Sequence, residues 1–125
     1  MDLGLRGRTV ESTLIEYSVL LRCSGEYFVL ISSPLLLESK GLRYAITPEK
    51  YSDERFGPVR RLVGQRIAAA TVNTIGALQI SFDDGTTLNV QPDDAYEAWN
   101  VSGPRGALTV CMPGGELAIW TAQAQ

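Results

Sequence analysis

Residues Leu78–Gln91 constrain the fold more tightly than any other stretch. Leu78, Ile80 and Phe82 alternate with Ala77, Gln79 and Ser81, and after Asp83-Asp84-Gly85 the residues Thr86, Leu88 and Val90 alternate with Thr87, Asn89 and Gln91. Period-two alternation marks half-buried strands, and parity then sets the loop between them. A two-residue Asp84-Gly85 loop would place Ser81 opposite Leu88 and send the two apolar sets to opposite faces. A three-residue loop sets Phe82 opposite Thr86, Ile80 opposite Leu88 and Leu78 opposite Val90. The expected connection is a type I turn plus bulge with Gly85 at positive φ. Asp83 and Asp84 are then turn residues.

The same period recurs upstream, where Ile15, Tyr17, Val19 and Leu21 alternate with Glu16, Ser18 and Arg22, broken only by Leu20. Helical spacing competes there through Val10, Leu14, Tyr17 and Leu21, but the β-branched content favours one half-buried strand. Cys23-Ser24-Gly25-Glu26 reads as a turn, Tyr27–Ile31 as a strand buried on both faces, and Leu35–Leu37 as a short strand or packed loop. Lys40-Gly41 turns the chain into Leu42–Ile46. Residues Pro48–Pro58 form a charged surface connection in which Ser52-Asp53-Glu54-Arg55 suits one helical turn. Pro92–Glu97 has the proline and early carboxylates of a helix start, which would bring Tyr96 and Trp99 to one side. A four-residue Gly103–Gly106 loop puts Val101 opposite Leu108 and Trp99 opposite Val110. Gly114-Gly115 closes a last hairpin with Met112 opposite Leu117 and Val110 opposite Ile119. That register makes Trp99 core and sends Cys111, Ala118 and Trp120 to the other face.

Three ordered matches suggest an internal duplication: Leu5–Val10 with Leu62–Ile67, Gly25–Val29 with Gly76–Ile80, and Tyr44–Glu49 with Leu88–Asp93. The expected fold is therefore mainly β, with one domain over residues 1–125. Two related antiparallel meanders, about 5–50 and 62–93, and a C-terminal hairpin, about 99–121, form one sandwich or partly open barrel with short helical turns. A chain of this length suffices for a single core.

Composition narrows the chemistry. There is no histidine, which removes imidazole-based triads, imidazole metal sites and histidine pH switching. Two distant cysteines, Cys23 and Cys111, make neither a disulfide framework nor a zinc site. Asp83-Asp84 and Asp93-Asp94 have turn and helix-start roles that account for them without a cation, and Cys111 has no base to activate it. The glycine-rich pieces do not match phosphate-binding loops. No cofactor, metal or catalytic residue is expected. No apolar run approaches the roughly 18 residues of a membrane span. Met1–Thr9 is charged and glycine-rich, without the apolar core of a signal peptide, so the expected location is the cytoplasm.

Charge is divided unevenly. Residues 1–66 hold ten basic and eight acidic residues, whereas residues 67–125 hold one basic residue, Arg105, against Asp83, Asp84, Asp93, Asp94, Glu97 and Glu116. An acidic second half repels nucleic acid and attracts a basic partner.

Tyr96-Glu97-Ala98-Trp99, Gly103, Gly106 and Val110-Cys111-Met112-Pro113-Gly114-Gly115-Glu116-Leu117-Ala118-Ile119-Trp120 together resemble an uncharacterised family of short, mostly actinobacterial proteins. The resemblance is best over about residues 60–121 and implies no catalytic residue. In size and β-rich build the chain also resembles immunity proteins of bacterial toxin systems. The functional expectation is a non-enzymatic interaction module whose acidic set, Asp93, Asp94, Glu97 and Glu116 with Trp120, binds a basic protein. The sharpest version is an immunity protein that neutralises a nuclease-like toxin. Two alternatives stand: a small-ligand or catalytic barrel with a pocket near Trp99, Glu97 and Glu116, and a structural homodimer paired through an exposed edge of Tyr27–Leu37.

Overall fold

The computed structural model describes residues 1–48 and 56–124. Its strands are β1 (Val10–Glu16), β2 (Ser18–Cys23), β3 (Tyr27–Ile31), β4 (Leu35–Ser39), β5 (Leu42–Ile46), β6 (Ile67–Val72), β7 (Leu78–Phe82), β8 (Thr87–Val90), β9 (Trp99–Ser102), β10 (Leu108–Cys111) and β11 (Leu117–Trp120). One helical turn, α1 (Gly57–Arg60), leads into β6. The strands make two antiparallel sheets, one ordered β1-β2-β3-β9-β10-β11 and the other β5-β4-β8-β7-β6. The mainly β class expected from sequence is what is observed, as two sheets and not a closed barrel. The helical turn expected at Ser52–Arg55 lies outside the described residues.

Both sheets contribute to one hydrophobic cluster. Val19, Leu21, Val29, Ile31, Trp99, Val101 and Cys111 point inward from the first, and Leu35, Leu37, Leu78, Ile80, Leu88 and Val90 from the second. Phe56, Val59 and Leu62, around α1, join the same cluster. Burying such side chains gains roughly 1.5–3 kcal/mol each, which is what holds the layers together.

The topology has an internal twofold relation. Exchanging β1-β2-β3-β9-β10 for β6-β7-β8-β4-β5 converts the order of one sheet into that of the other, leaving β11 as an extra strand. Each half thus gives a three-stranded meander to one sheet and a hairpin to the other. The relation extends to detail. A bulge falls between Val10 and Ser12 in β1 and between Ile67 and Ala69 in β6. The Gly7 N–H donates to Ile67 O and the Gly64 N–H to Val10 O, both at 2.8 Å, and an antiparallel bridge joins Thr9 to Arg66 between them. Gly7 and Gly64 both sit at positive φ, 82° and 89°. The matched segments Leu5–Val10 and Leu62–Ile67 therefore pair with each other about the twofold. The other two sequence matches join strands that are not equivalent. Tyr27–Val29 lies in β3, whose counterpart is β8, not β7. Tyr44–Ile46 lies in β5, whose counterpart is β10, not β8.

The β7–β8 hairpin has the expected register, with Leu78 opposite Val90, Ile80 opposite Leu88 and Gly85 at φ 90°. Five other readings are corrected. The alternation through Ile15–Leu21 is a hairpin bent at Tyr17, with Ile15 opposite Val19; parity survives because the turn is a single residue. Pro92–Glu97 forms no helix: the Asp93 Oδ1 accepts the Ala95 and Tyr96 N–H groups, a local turn that competes with helical pairing, and Tyr96 is exposed while Trp99 is buried. Ser102 lies opposite Leu108 and Val101 opposite Thr109, one residue from the expected register. The loop spans Gly103–Ala107, with Arg105 at φ 58° and Gly106 at φ 81°. Cys111 lies opposite Leu117 and Val110 opposite Ala118, again shifted by one, so Cys111 faces the core and not the outer face. Finally, Tyr27–Ile31 and Leu35–Ser39 are interior strands, paired on both sides, so they offer no edge to a second chain.

Candidate interaction surface

The one-residue shifts turn an unexpected set of side chains outward. Cross-strand pairing aligns Leu14, Leu20, Leu30, Asn100, Val110 and Ala118 in one row across the six-stranded sheet. The adjacent row is Ser12, Arg22, Phe28, Ser102, Leu108 and Trp120. All these positions have the parity opposite to the core set, so they form the outer face. Leu14 and Trp120 are 53% and 54% exposed, and Leu20, Phe28, Leu30 and Leu108 are half-buried by their neighbours alone. Apart from α1, which meets β1, the element pairs in substantial contact are strand neighbours. Apolar side chains outnumber polar ones along the two rows, although Asn100 and Ser102 of β9 interrupt them and Val110 is buried, and this makes the face a candidate for interaction.

Carboxylates gather at one end of that face. Glu16 lies at the tip of the β1–β2 hairpin beside Tyr17, which is 75% exposed. Glu97 lines, with Tyr17, Ser32 and Tyr96, an open hollow of about 630 Å3. The Asp93–Glu97 loop is pinned to the β10–β11 turn because the Gly114 N–H donates to Asp93 O at 2.8 Å. Glu116 follows that turn with the same parity as Ala118 and Trp120. Gly115 is required there: it sits at φ 95°, buried, and a side chain would strike the carbonyl oxygen of Ile75. The structure therefore brings Asp93, Asp94, Glu97 and Glu116 to one end and adds Glu16 to them. It does not bring Trp120 to that cluster. Trp120 pairs with Leu108 at the far end of β11, along the same outer face.

Trp99 is 1% exposed and its indole N–H donates to Gly76 O at 3.0 Å. Its ring offers no surface to a ligand, so a pocket built on it is not what the fold provides. Cys111 Sγ lies 3.4 Å from the same carbonyl. Both cysteines are free and buried. Burial pushes the Cys23 thiol up to about 11, with Glu11 adding to the rise, and burial also raises Cys111. Neither is a nucleophile at neutral pH. Asp84 is held below the usual carboxylate range, chiefly because the Thr86 N–H donates to it at 2.9 Å. No cluster of metal-ligating side chains occurs among the described residues, and no helix among them is long and apolar enough to cross a membrane.

A family model described as a family of unknown function (DUF6188) matches residues 1–121. The chain belongs to that family. The match agrees with the resemblance to an uncharacterised family and includes the N-terminal meander as well as the tryptophan-containing end. Neither the curated proteins nor the solved structures give a match.

Sequence reasoning singled out Trp120 and the four carboxylates as candidates and passed over Leu14, Tyr17, Leu20, Phe28 and Leu30. A signal was present. Leu20 breaks the alternation of its strand, and Tyr27–Ile31 is apolar at every position, a pattern that by itself predicts burial on both faces. In a two-layer fold each sheet has only one covered face, so the surplus apolar set points outward.

Proposed function

We propose that the protein is a non-enzymatic interaction module that docks a partner protein on the outer face of its six-stranded sheet. The observation that carries this is the pair of largely apolar outer rows, from Leu14 to Ala118 and from Phe28 to Trp120, with Leu14 and Trp120 exposed, on a chain whose other sheet has a mostly polar exterior. Trp120 and Tyr17 supply the large, rigid anchors that dominate interface energetics. Glu16, Asp93, Asp94, Glu97 and Glu116 at one end favour a partner with an apolar centre and a basic margin. Such charge complementarity speeds encounter and makes binding salt-dependent. An immunity-type protein that neutralises a basic, nuclease-like toxin fits this chemistry and is the finer reading.

The test captures partners of the tagged protein at low and high salt, then measures the affinity of any stoichiometric basic partner for variants. Trp120→Ala and Leu14→Ser are expected to weaken it strongly. Amide replacement at Asp93, Asp94, Glu97 and Glu116 is expected to slow association. Unchanged affinity in all these variants refutes the assignment. A homodimer that Trp120→Ala dissociates would replace the foreign partner by a second copy on the same face.

A further inference from the structure

The twofold relation also pairs two cavities, and they differ in one respect. Near the β9–β10 hairpin, the Tyr27 ring fills the space between the N-terminal segment and the hairpin. Gly4 and Gly103 both yield to it, since a Cβ on either would lie 2.7 Å from Tyr27 Cε1. The Arg8 guanidinium stacks over the ring 4.3 Å from its centroid. A hollow of about 250 Å3 remains beside it, shared with Trp120–Ala122. At the related position near the β4–β5 hairpin, the residue equivalent to Tyr27 is Thr86, which closes its turn onto Phe82 as Tyr27 closes onto Cys23. A threonine cannot fill an aromatic ring's place, and a cavity of about 340 Å3 is open there.

The other substitutions are chemical, not merely steric. By the paired registers, Arg61 stands where the filled site has Gly4, Ser39 where it has Gly103, and Gln65 where it has Arg8. All three line the open cavity together with Lys40, the Asp84 carboxylate beside it, and the apolar Leu37, Tyr44 and Leu62. Thr86 Oγ1 and Ser39 Oγ are hydrogen-bonded at 3.1 Å, and the Thr86 side chain also bonds the Asp84 carboxylate. One site thus holds its own aromatic ring between glycines. The other has lost the ring and is lined by two cations, one carboxylate and a pair of hydroxyls beside apolar side chains, a net charge of one positive. The volume is within the range of small-molecule sites, about 300–1,000 Å3.

We propose that this cavity binds a small aromatic carboxylate, whose ring takes the place that Tyr27 occupies in the twin site and whose carboxylate meets Arg61 and Lys40. The site lies at the β4–β5 end, apart from the outer face assigned to a partner, and stands independently of that assignment.

The probe is benzoate, with benzamide as its neutral isostere, followed by amide shifts of Ser39, Lys40 and Thr86 in 15N-labelled protein. Benzoate is expected to shift these resonances with a Kd of about 1 mM, the affinity typical of so small a ligand, and benzamide to bind about tenfold more weakly. Thr86→Tyr, which rebuilds the twin's plug, is expected to abolish the shifts while keeping the spectrum dispersed. Arg61→Gln is expected to lower benzoate to the level of benzamide, and it decides the matter if the tyrosine variant does not fold. No shift at about 10 mM benzoate, equal binding of acid and amide, or full binding in the Arg61→Gln variant overturns the proposal.

Discussion

The two sheets share a topology but differ in what they show to solvent. On the five-stranded sheet the outward positions are Glu38, Arg43, Thr71, Gln79, Ser81, Thr87 and Asn89, with Leu36, Ala45 and Ala69 among them. The equivalent positions of the six-stranded sheet hold Leu14, Leu20, Phe28, Leu30, Leu108 and Val110 together with Ser12, Arg22, Asn100 and Ser102, and the extra strand β11 adds Ala118 and Trp120. Both inner faces are predominantly apolar, as the shared core demands. Folding therefore needs nothing from the outer faces, and the polar exterior of one sheet shows that the architecture is content without apolar residues there. The more apolar exterior of the other is a property the fold does not require, which is the ground of the proposed docking role.

The sharpest contrast lies within the six-stranded sheet itself, between two tryptophans on its opposite faces. Trp99→Ala removes a buried ring and leaves Gly76 O without its indole donor, so urea denaturation should show a loss of about 3–5 kcal/mol. A much smaller loss would mean that the core is not where the register places it. For partner affinity the order reverses: Trp120→Ala should cost about 2 kcal/mol, roughly thirtyfold in Kd, whereas Gln79→Ala and Asn89→Ala on the polar sheet should leave it unchanged. Equal effects on both sheets would erase the distinction drawn between them.

Charge sharpens the comparison further. Neutralising Asp93, Asp94, Glu97 and Glu116 together should slow association about tenfold at low salt and flatten its salt dependence, with little effect on dissociation. A pH experiment reports on the inner face instead. Below pH 9 the Cys23 thiol is protonated whether the chain is folded or not. Above it, the unfolded chain releases the proton while the folded one holds it to about 11, so stability should fall between those values. Cys23→Ala should remove that component, and an unchanged slope would assign the loss to other groups. The smallest expected effect is on the stability of the Trp120→Ala variant, within about 1 kcal/mol, because the ring is already half in water.

The legibility of the fold followed from how different the two faces of each strand are. In β7 and β8 the inner and outer sets contrast strongly, so parity yielded both the pairing and the Gly85 turn. In β10 the inner set is Thr109 and Cys111 and the outer set is Leu108 and Val110. Matching apolar to apolar then selects the wrong register, because the outer residues are the more hydrophobic. The candidate site was half legible. Its carboxylates stood out as charge in a stretch poor in cations, but its apolar centre was hidden in runs that read as core.

The sequence by itself determined the β class, the position of most turns and the asymmetry of charge, since each depends on local periodicity or composition. It also exposed the one repeat, Leu5–Val10 and Leu62–Ile67, in which the backbone geometry demands the same glycine twice. Only the tertiary structure decided which apolar residues are core and which are exterior, because a strand's two faces become unequal only when one of them meets the opposite sheet. It alone decided that one of two related cavities is filled and the other open, for Tyr27 and Thr86 acquire equivalent places through strand pairing between distant segments, which no local pattern records.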